Sequence, residues 1–251
     1  MDFMLKNNKR IIAIVEARMG SSRLPGKHLL EVLGKPMLGY LIDRLKTVES
    51  LDDIVIATTT NSNDDVLVEF AEKNEVDVYR GSEHDVMGRV LDAAKFFKAD
   101  VICEVTGDSS IIDPTLIEQL IQTYLICSAV YVSNINQSLP DGMGSQIFST
   151  AALLKSEGMT NDPLDREHVT LHIKNNPGLF PSIYIGTMPS MVFPGLAVTL
   201  DEKEDYELLK KIIEHFGNKN QLFSCLEVVQ LIKIKPNWLT INGHINRKGN
   251  S

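Results

Sequence analysis

No run of 18 apolar residues occurs in this 251-residue sequence, so no segment reads as a membrane-spanning helix. Cysteine is scarce. Cys103, Cys127 and Cys225 show no C-x-x-C spacing and cannot build a disulfide framework, so they read as buried thiols of a cytoplasmic protein. Aromatics make up 6% of the chain, with one tryptophan. That excludes a stacking platform for nucleic-acid bases and leaves Trp238 as a packing anchor. Lysine and arginine number 25 against 33 acidic residues, for a net charge of -8. A general nucleic-acid binder carries the opposite footprint. There is no H-E-x-x-H for zinc, no G-x-S-x-G elbow for a serine nucleophile and no G-x-G-x-x-G. His168 and His172 lie four apart on an expected helix, a metal-compatible spacing. With no third ligand, they read as an interface or substrate-facing polar pair. The opening MDFMLKNNKR is polar and too short for a signal peptide, and residues 1–9 read as a loose leader.

What the chain does have is one cationic loop on an acidic body. Ile11 to Val15 read as a buried strand, and the segment that follows contains Arg18, Gly20, Ser21, Ser22, Arg23, Gly26 and Lys27. Positive charge, hydroxyl donors and glycines after a strand are how a protein cradles polyphosphate. The spacing is not that of a Walker A loop. Five residues separate Gly20 from Gly26 where that loop has four, and His28 follows the lysine where Ser or Thr is required. A different phosphate loop is implied, serving a small anionic ligand.

Hydrophobic residues at 43% support a full core. Strand and helix patterns alternate five times. The expected strands are 11–15, 54–57, 76–79, 101–105 and 129–132. Helices are expected at Met37–Leu45, 64–71, 86–97 and 114–125, with Asp64 or Asn63 capping the second and Asp113 the fourth. Gly34-Lys35-Pro36 reads as a turn. The pattern predicts an α/β fold with a mostly parallel central sheet and helices on both faces. Loops 16–27, 58–63, 80–85 and 106–113 should then line one crevice at the carboxyl ends of the strands. The segment 137–195 departs from the alternation and reads as an excursion from the sheet, a flap or dimer contact within a single 1–251 domain. A strand is expected there at 146–148, with helices near 149–156 and 165–175. Leu196–Leu200 reads as a returning core strand, with helices at 203–216 and 224–233. Ser224 and Glu227 form a capping box for the last of these.

Asp108 and Asp201 each follow a buried run and face the same expected crevice. Two carboxylates beside a phosphate loop are the protein's usual contribution to a Mg²⁺–phosphate site, although each also suits a turn or cap.

EARMGSSRLPGKHLLEVLGKPML resembles the opening motif of the cytidylyltransferases that activate acidic sugars, among them the 3-deoxy-manno-octulosonate and acylneuraminate enzymes. The spore-coat polysaccharide biosynthesis protein F branch is most similar, through IVIATTTNSNDD, YRGSEHDV, EVTGDSSIIDP, YVSN, PDGMG, REHVT and LAVTLDEKEDYELLKKI. The likeness spans about residues 10 to 245. It implies a Rossmann-like nucleotidyltransferase fold, a homodimer, Mg²⁺ as cofactor, and transfer of CMP from CTP to an acidic acceptor with release of pyrophosphate. By the same resemblance Arg18, Arg23, Lys27 and Asp108 are catalytic, and Asp108 and Asp201 hold the metal. Ala17, Met19, Gly20, Ser21, Ser22, Thr58, Arg80 and Ser82 join them as nucleotide contacts. Asp141, Gly142, Glu167 and His168 would lie on the acceptor side. A GTP- or UTP-using sugar-phosphate enzyme and a non-catalytic nucleotide-binding homologue remain open. Three departures stand out. Glu16 replaces a frequent Gln, Ser109 and Ser110 follow Asp108 where a small residue and Pro are usual, and Gly144 and Gln146 replace acidic residues. The last departure suggests an altered, more anionic acceptor.

Overall fold

The structure, a computed structural model, describes residues 8–135 and 138–247. Most of the expected leader therefore lies outside the described residues. Seven strands form the central sheet: β1 (Ile11–Glu16), β4 (Asp53–Thr59), β5 (Asp77–Gly81), β6 (Val101–Thr106), β7 (Tyr131–Ser133), β8 (Gln146–Ser149) and β9 (Ser182–Tyr184). Their order is β5-β4-β1-β6-β8-β7-β9, and β8 alone runs against its neighbours. A two-strand hairpin, β2 (Glu31–Val32) and β3 (Lys35–Pro36), stands apart. Lys35 and Pro36 thus pair as a strand, and the turn is Leu33-Gly34.

Strand alternation divides the core. Ile11, Ala13 and Val15 face α1 (Met37–Leu45), α2 (Asp65–Lys73) and α4 (Pro114–Ile126). Ile12 and Ile14 face α3 (Val86–Phe96), α5 (Thr150–Glu157) and α7 (Leu171–Asn175). Each of these strand isoleucines is fully buried, worth about 1.5–3 kcal/mol apiece. A third cluster joins α8 (Lys203–Phe216) and α9 (Cys225–Ile234) to Leu196, Val198 and Leu200. Trp238 packs at its edge. Arg44 is buried in α1, where its guanidinium donates to the carbonyls of Ile112, Gln221 and Phe223. Asp113 caps α4 and also accepts from Cys225 N, and the Ser224–Glu227 capping box opens α9.

Four expectations need correction. The segment 137–195 is only partly an excursion: the strand expected at 146–148 forms as β8 and joins the sheet, and so does β9, a three-residue strand that pairs non-locally and leaves little periodic trace. Leu196–Leu200 is buried but forms no strand. Its amides reach loops instead, with Val198 N on Asp141 O and Leu200 N on Asp108 O, and a lone bridge joins Asp141 to Ala197. Asp64 does not cap α2 with its side chain. Finally, the helix over 165–175 is broken. α6 (Pro163–Glu167) stops at His168, Val169 has φ 37°, and α7 begins at Leu171. His168 and His172 therefore share no helix, and His172 Nδ1 lies 3.0 Å from the Ser156 hydroxyl.

Candidate active site

The four loops after β1, β4, β5 and β6 converge as their polarity requires. The loop after β1 is closed on itself by Gly26 N donating to Met19 O at 3.2 Å. Gly26 has φ 71°, a left-handed conformation that a side chain resists, and it turns the chain into a single 3-10 turn over Lys27–Leu29. Each cation of the loop then meets a carboxylate from elsewhere. Arg18 pairs with Glu83 at 2.8 Å, and Asn61 holds the other oxygen of Glu83. Arg23 pairs with Asp201 at 2.9 Å and Glu202 at 3.5 Å. Lys27, only 9% exposed, spans Asp108 at 3.2 Å and Asp201 at 2.9 Å.

Asp108 and Asp201 come together through backbone. Leu200 N donates to Asp108 O, so the residue after Leu200 arrives beside Asp108. Burial opposes the charge of Asp108, yet the Lys27 ammonium and the Thr106 hydroxyl hold its carboxyl below the usual range. Beneath it His28 Nδ1 lies 3.1 Å from Gly107 O, and since a carbonyl only accepts, that nitrogen carries the proton. Burial and the Lys27 charge lower the His28 pKa to about 4, so the ring is neutral at physiological pH and props the Gly107–Asp108 turn. Asp205 anchors the other carboxylate. Its side chain accepts from Asp201 N and Glu202 N, from Asn242 Nδ2 at 2.8 Å, and from Arg247 at 2.6 Å.

Next to this cluster opens a cavity of about 770 Å³ lined by Thr106, Ser109, Asp141, Gly142, Thr199 and Arg247, among others. Gly142 has φ 92°, and a Cβ there would meet Thr199 N at 2.7 Å, so only glycine fits. The Asp141 carboxyl is raised, first by desolvation and then by the charges of Asp108, Asp201 and Asp205, against Arg247.

Several of the expected contact residues have partners within the protein. Met19 N is taken by Asp64 Oδ1 at 2.7 Å, while Asp64 also accepts from the Thr59 hydroxyl. The loop thus spends one amide on its own anchorage. Ala17 is buried under the loop, whereas Gly20 and Ser22 remain exposed. Ser21 accepts from Leu24 N at 3.5 Å. Thr58 is fully buried, because it points inward from β4. Arg80 donates to Thr59 O, Asn61 O and Asp65, bracing the neighbouring loop. Ser82 closes its own turn by accepting from His84 N and Asp85 N. Glu167 and His168 are exposed and line none of the cavity, and Arg166 of α6 pairs with Asp85 and Glu157. Gln146 is also outside the cavity. It donates to Glu104 at 2.7 Å and accepts from Tyr131 and Thr170. Sequence reasoning missed Asp64, Glu83, Asp205 and Arg247. Asp205 lay hidden in an acidic run, and the others are recognisable only by their partners.

Glu16, odd beside a phosphate loop, points beneath it. Burial raises its carboxyl and that of Glu104, whose rise is the larger and is reinforced by the Glu16 charge; Arg89 opposes at Glu16. Glu16 Oε1 has no partner among the described residues. Burial and the closeness of the two carboxyls favour protonation within the pair. Raised carboxyls contribute most below the ordinary carboxyl value and lose their contribution as pH climbs toward their folded values. Glu16→Gln should therefore be about 1–3 kcal/mol more stable than wild type near pH 8, with the gap closing toward about pH 5. Denaturant titrations across that window check this, and a constant difference would count against the raised carboxyls.

A cytidylyltransferase family model matches residues 12–229. An uncharacterized protein of Methanocaldococcus jannaschii is 34% identical over 239 residues, 95% of this chain and 97% of that protein. The spore coat polysaccharide biosynthesis protein SpsF of Bacillus subtilis is 31% identical over 235 residues, 92% and 97%. The solved structure of a cytidylyltransferase from Leptospira borgpetersenii superposes with TM-score 0.89 at 31% identity, covering 96% of this chain and 100% of that one. A cationic loop at the carboxyl end of this sheet and a match along nearly the whole sequence agree: the chain belongs to the cytidylyltransferase family.

Proposed function

We propose that the protein transfers CMP from CTP to an acidic sugar or related anionic acceptor, with release of pyrophosphate, in surface polysaccharide biosynthesis. The observation that carries this reading is the convergence of Arg18, Arg23 and Lys27 with Asp108 and Asp201 at one end of the sheet, beside a polar cavity. The three cations would trade their carboxylates for the triphosphate and neutralise it as charge moves onto the leaving pyrophosphate. Asp141 and the hydroxyls of Thr106, Ser109 and Thr199 would orient the acceptor hydroxyl toward the α-phosphate. Among the lining cations only Arg247 reaches the cavity, and it is already paired with Asp205. That lining suits the hydroxyls of a sugar more than added negative charge, which weakens the expectation of an unusually anionic acceptor.

The donor set fits Mg²⁺. Asp108 and Asp201 offer hard oxygens, and no group of three or more ligating side chains occurs among the described residues, so phosphate oxygens would complete the shell. When bound, Mg²⁺ supplies charge neutralisation at the phosphates and alignment of the attacking and leaving oxygens. A homodimer is supported by the edge strand β9 and by exposed Leu164, Leu179, Ile183, Tyr184 and Met188 on one stretch of chain. No helix among the described residues is long and apolar enough to cross a membrane.

Thermal unfolding with Mg²⁺ and each of CTP, GTP and UTP tests the nucleotide. Ligand at a hundred times its Kd adds about 2.7 kcal/mol, a shift of several degrees. CTP alone should give it. A shift with GTP or UTP instead would favour a sugar-phosphate nucleotidyltransferase. The intact cationic loop and both aspartates argue against an idle homologue.

A further inference from the structure

Lys27 occupies the oxygens that a divalent cation would need. Its ammonium lies 3.2 Å from Asp108 Oδ2 and 2.9 Å from Asp201 Oδ1, and Arg23 shares that Asp201 oxygen at 2.9 Å. The root of the lysine is held firmly. Gly26 sets the turn, Lys27 N donates to Leu24 O, and Leu30 N donates back to Lys27 O. Buried His28 packs the next position, bonded to Gly107 beside Asp108. The ammonium itself rides on a flexible four-carbon stem and can move while the root stays.

A divalent cation binds hard carboxylate oxygens, and these two carboxylates are the pair that Lys27 bridges. An ammonium already seated between them repels a second cation at contact distance and also engages one oxygen of each carboxylate. No third ligating side chain stands by to hold the ion while the lysine moves, since no such group of three occurs among the described residues.

We propose that Lys27 is a built-in counter-ion for the Asp108–Asp201 pair, which closes that pair to divalent cations in the nucleotide-free protein. It holds two carboxylates together without a metal and makes metal entry depend on something that draws the ammonium off. Under the nucleotide reading above, on which this rests for its purpose, a triphosphate does so, and metal then enters with or after the nucleotide rather than before it.

Mn²⁺ is the probe, followed by electron paramagnetic resonance on the purified full chain. Nucleotide-free wild type should show no saturable site below about 1 mM. Lys27→Met should gain one, at least about tenfold tighter. Lys27→Arg should behave as wild type, and Asp108→Asn added to Lys27→Met should remove the new site. Circular dichroism and the melting temperature establish that each variant is folded, and Lys27→Gln stands in if Lys27→Met is not. Tight Mn²⁺ binding by nucleotide-free wild type would overturn the proposal, and so would a folded Lys27→Met that binds no better than wild type. The nucleotide reading is scored separately, by whether CTP gives the wild type a protein-bound Mn²⁺ signal. If it does not while Lys27→Met binds as expected, the counter-ion role stands and the nucleotide reading falls.

Discussion

Asp108→Asn should cut nucleotidyl transfer by about a thousandfold or more and leave the fold in place. The substitution keeps shape and one oxygen for Lys27 while removing a charge that the site holds ionised. The backbone bond from Leu200 N to Asp108 O is untouched, so Asp201 stays where it is. What is lost is a hard anionic oxygen, and the amide that replaces it is a poor partner for Mg²⁺. The assay is pyrophosphate release and product mass spectrometry with CTP, Mg²⁺ and a panel of acidic sugars, alongside thermal unfolding. Turnover that survives the change would remove Asp108 from the catalytic centre.

The largest stability effect is expected at Asp205. Its side chain is fully buried and collects two backbone amides, the Asn242 amide and the Arg247 guanidinium. Asp205→Ala would strand a guanidinium that is only 10% exposed and free the amide of Asp201. Breaking a buried ion pair in this way costs about 3–5 kcal/mol, measurable by urea denaturation. Burial opposes the Asp205 charge, but Arg247 and Asn242 outweigh it and hold the carboxyl below its usual value. A lowered carboxyl contributes its stability above the ordinary value near 3.9 and loses it as pH falls through the folded value. The gap between wild type and Asp205→Ala should therefore narrow in acid. A loss under about 1 kcal/mol at neutral pH would mean that Arg247 and Asn242 find other partners. Because Asp205 also carries the Asp201 backbone, the same variant should weaken nucleotidyl transfer even where it remains folded.

The parts of this fold that could be read along the chain are those where one local pattern suffices. Ile11–Glu16 and Val101–Thr106 are buried on both faces and show as mostly apolar runs, Ile11–Val15 unbroken and the second interrupted by Glu104. α1, α3 and α4 show as helical periods, and Asp113 before Pro114 marks the start of α4. Patterns of this kind fail where the backbone is satisfied from afar. Leu196–Leu200 has the composition of a strand, but its amides bond to loops at Asp108 and Asp141. β9 has three residues and an exposed face, so nothing local distinguishes it from a turn.

The site divides along the same line. The cationic loop, its left-handed Gly26 and the two aspartates are written in residue type and spacing, because phosphate binding needs particular charges just past a strand. Which carboxylate answers which cation is not. Arg18 meets Glu83, Arg23 meets Asp201, and Lys27 joins Asp108 to Asp201 across 81 and 174 residues of sequence. Glu16, the charge of the wrong sign, leaves the loop altogether for Glu104. Local composition can say that charges are present. Their pairing depends on distances that exist only once the sheet has brought its loops together.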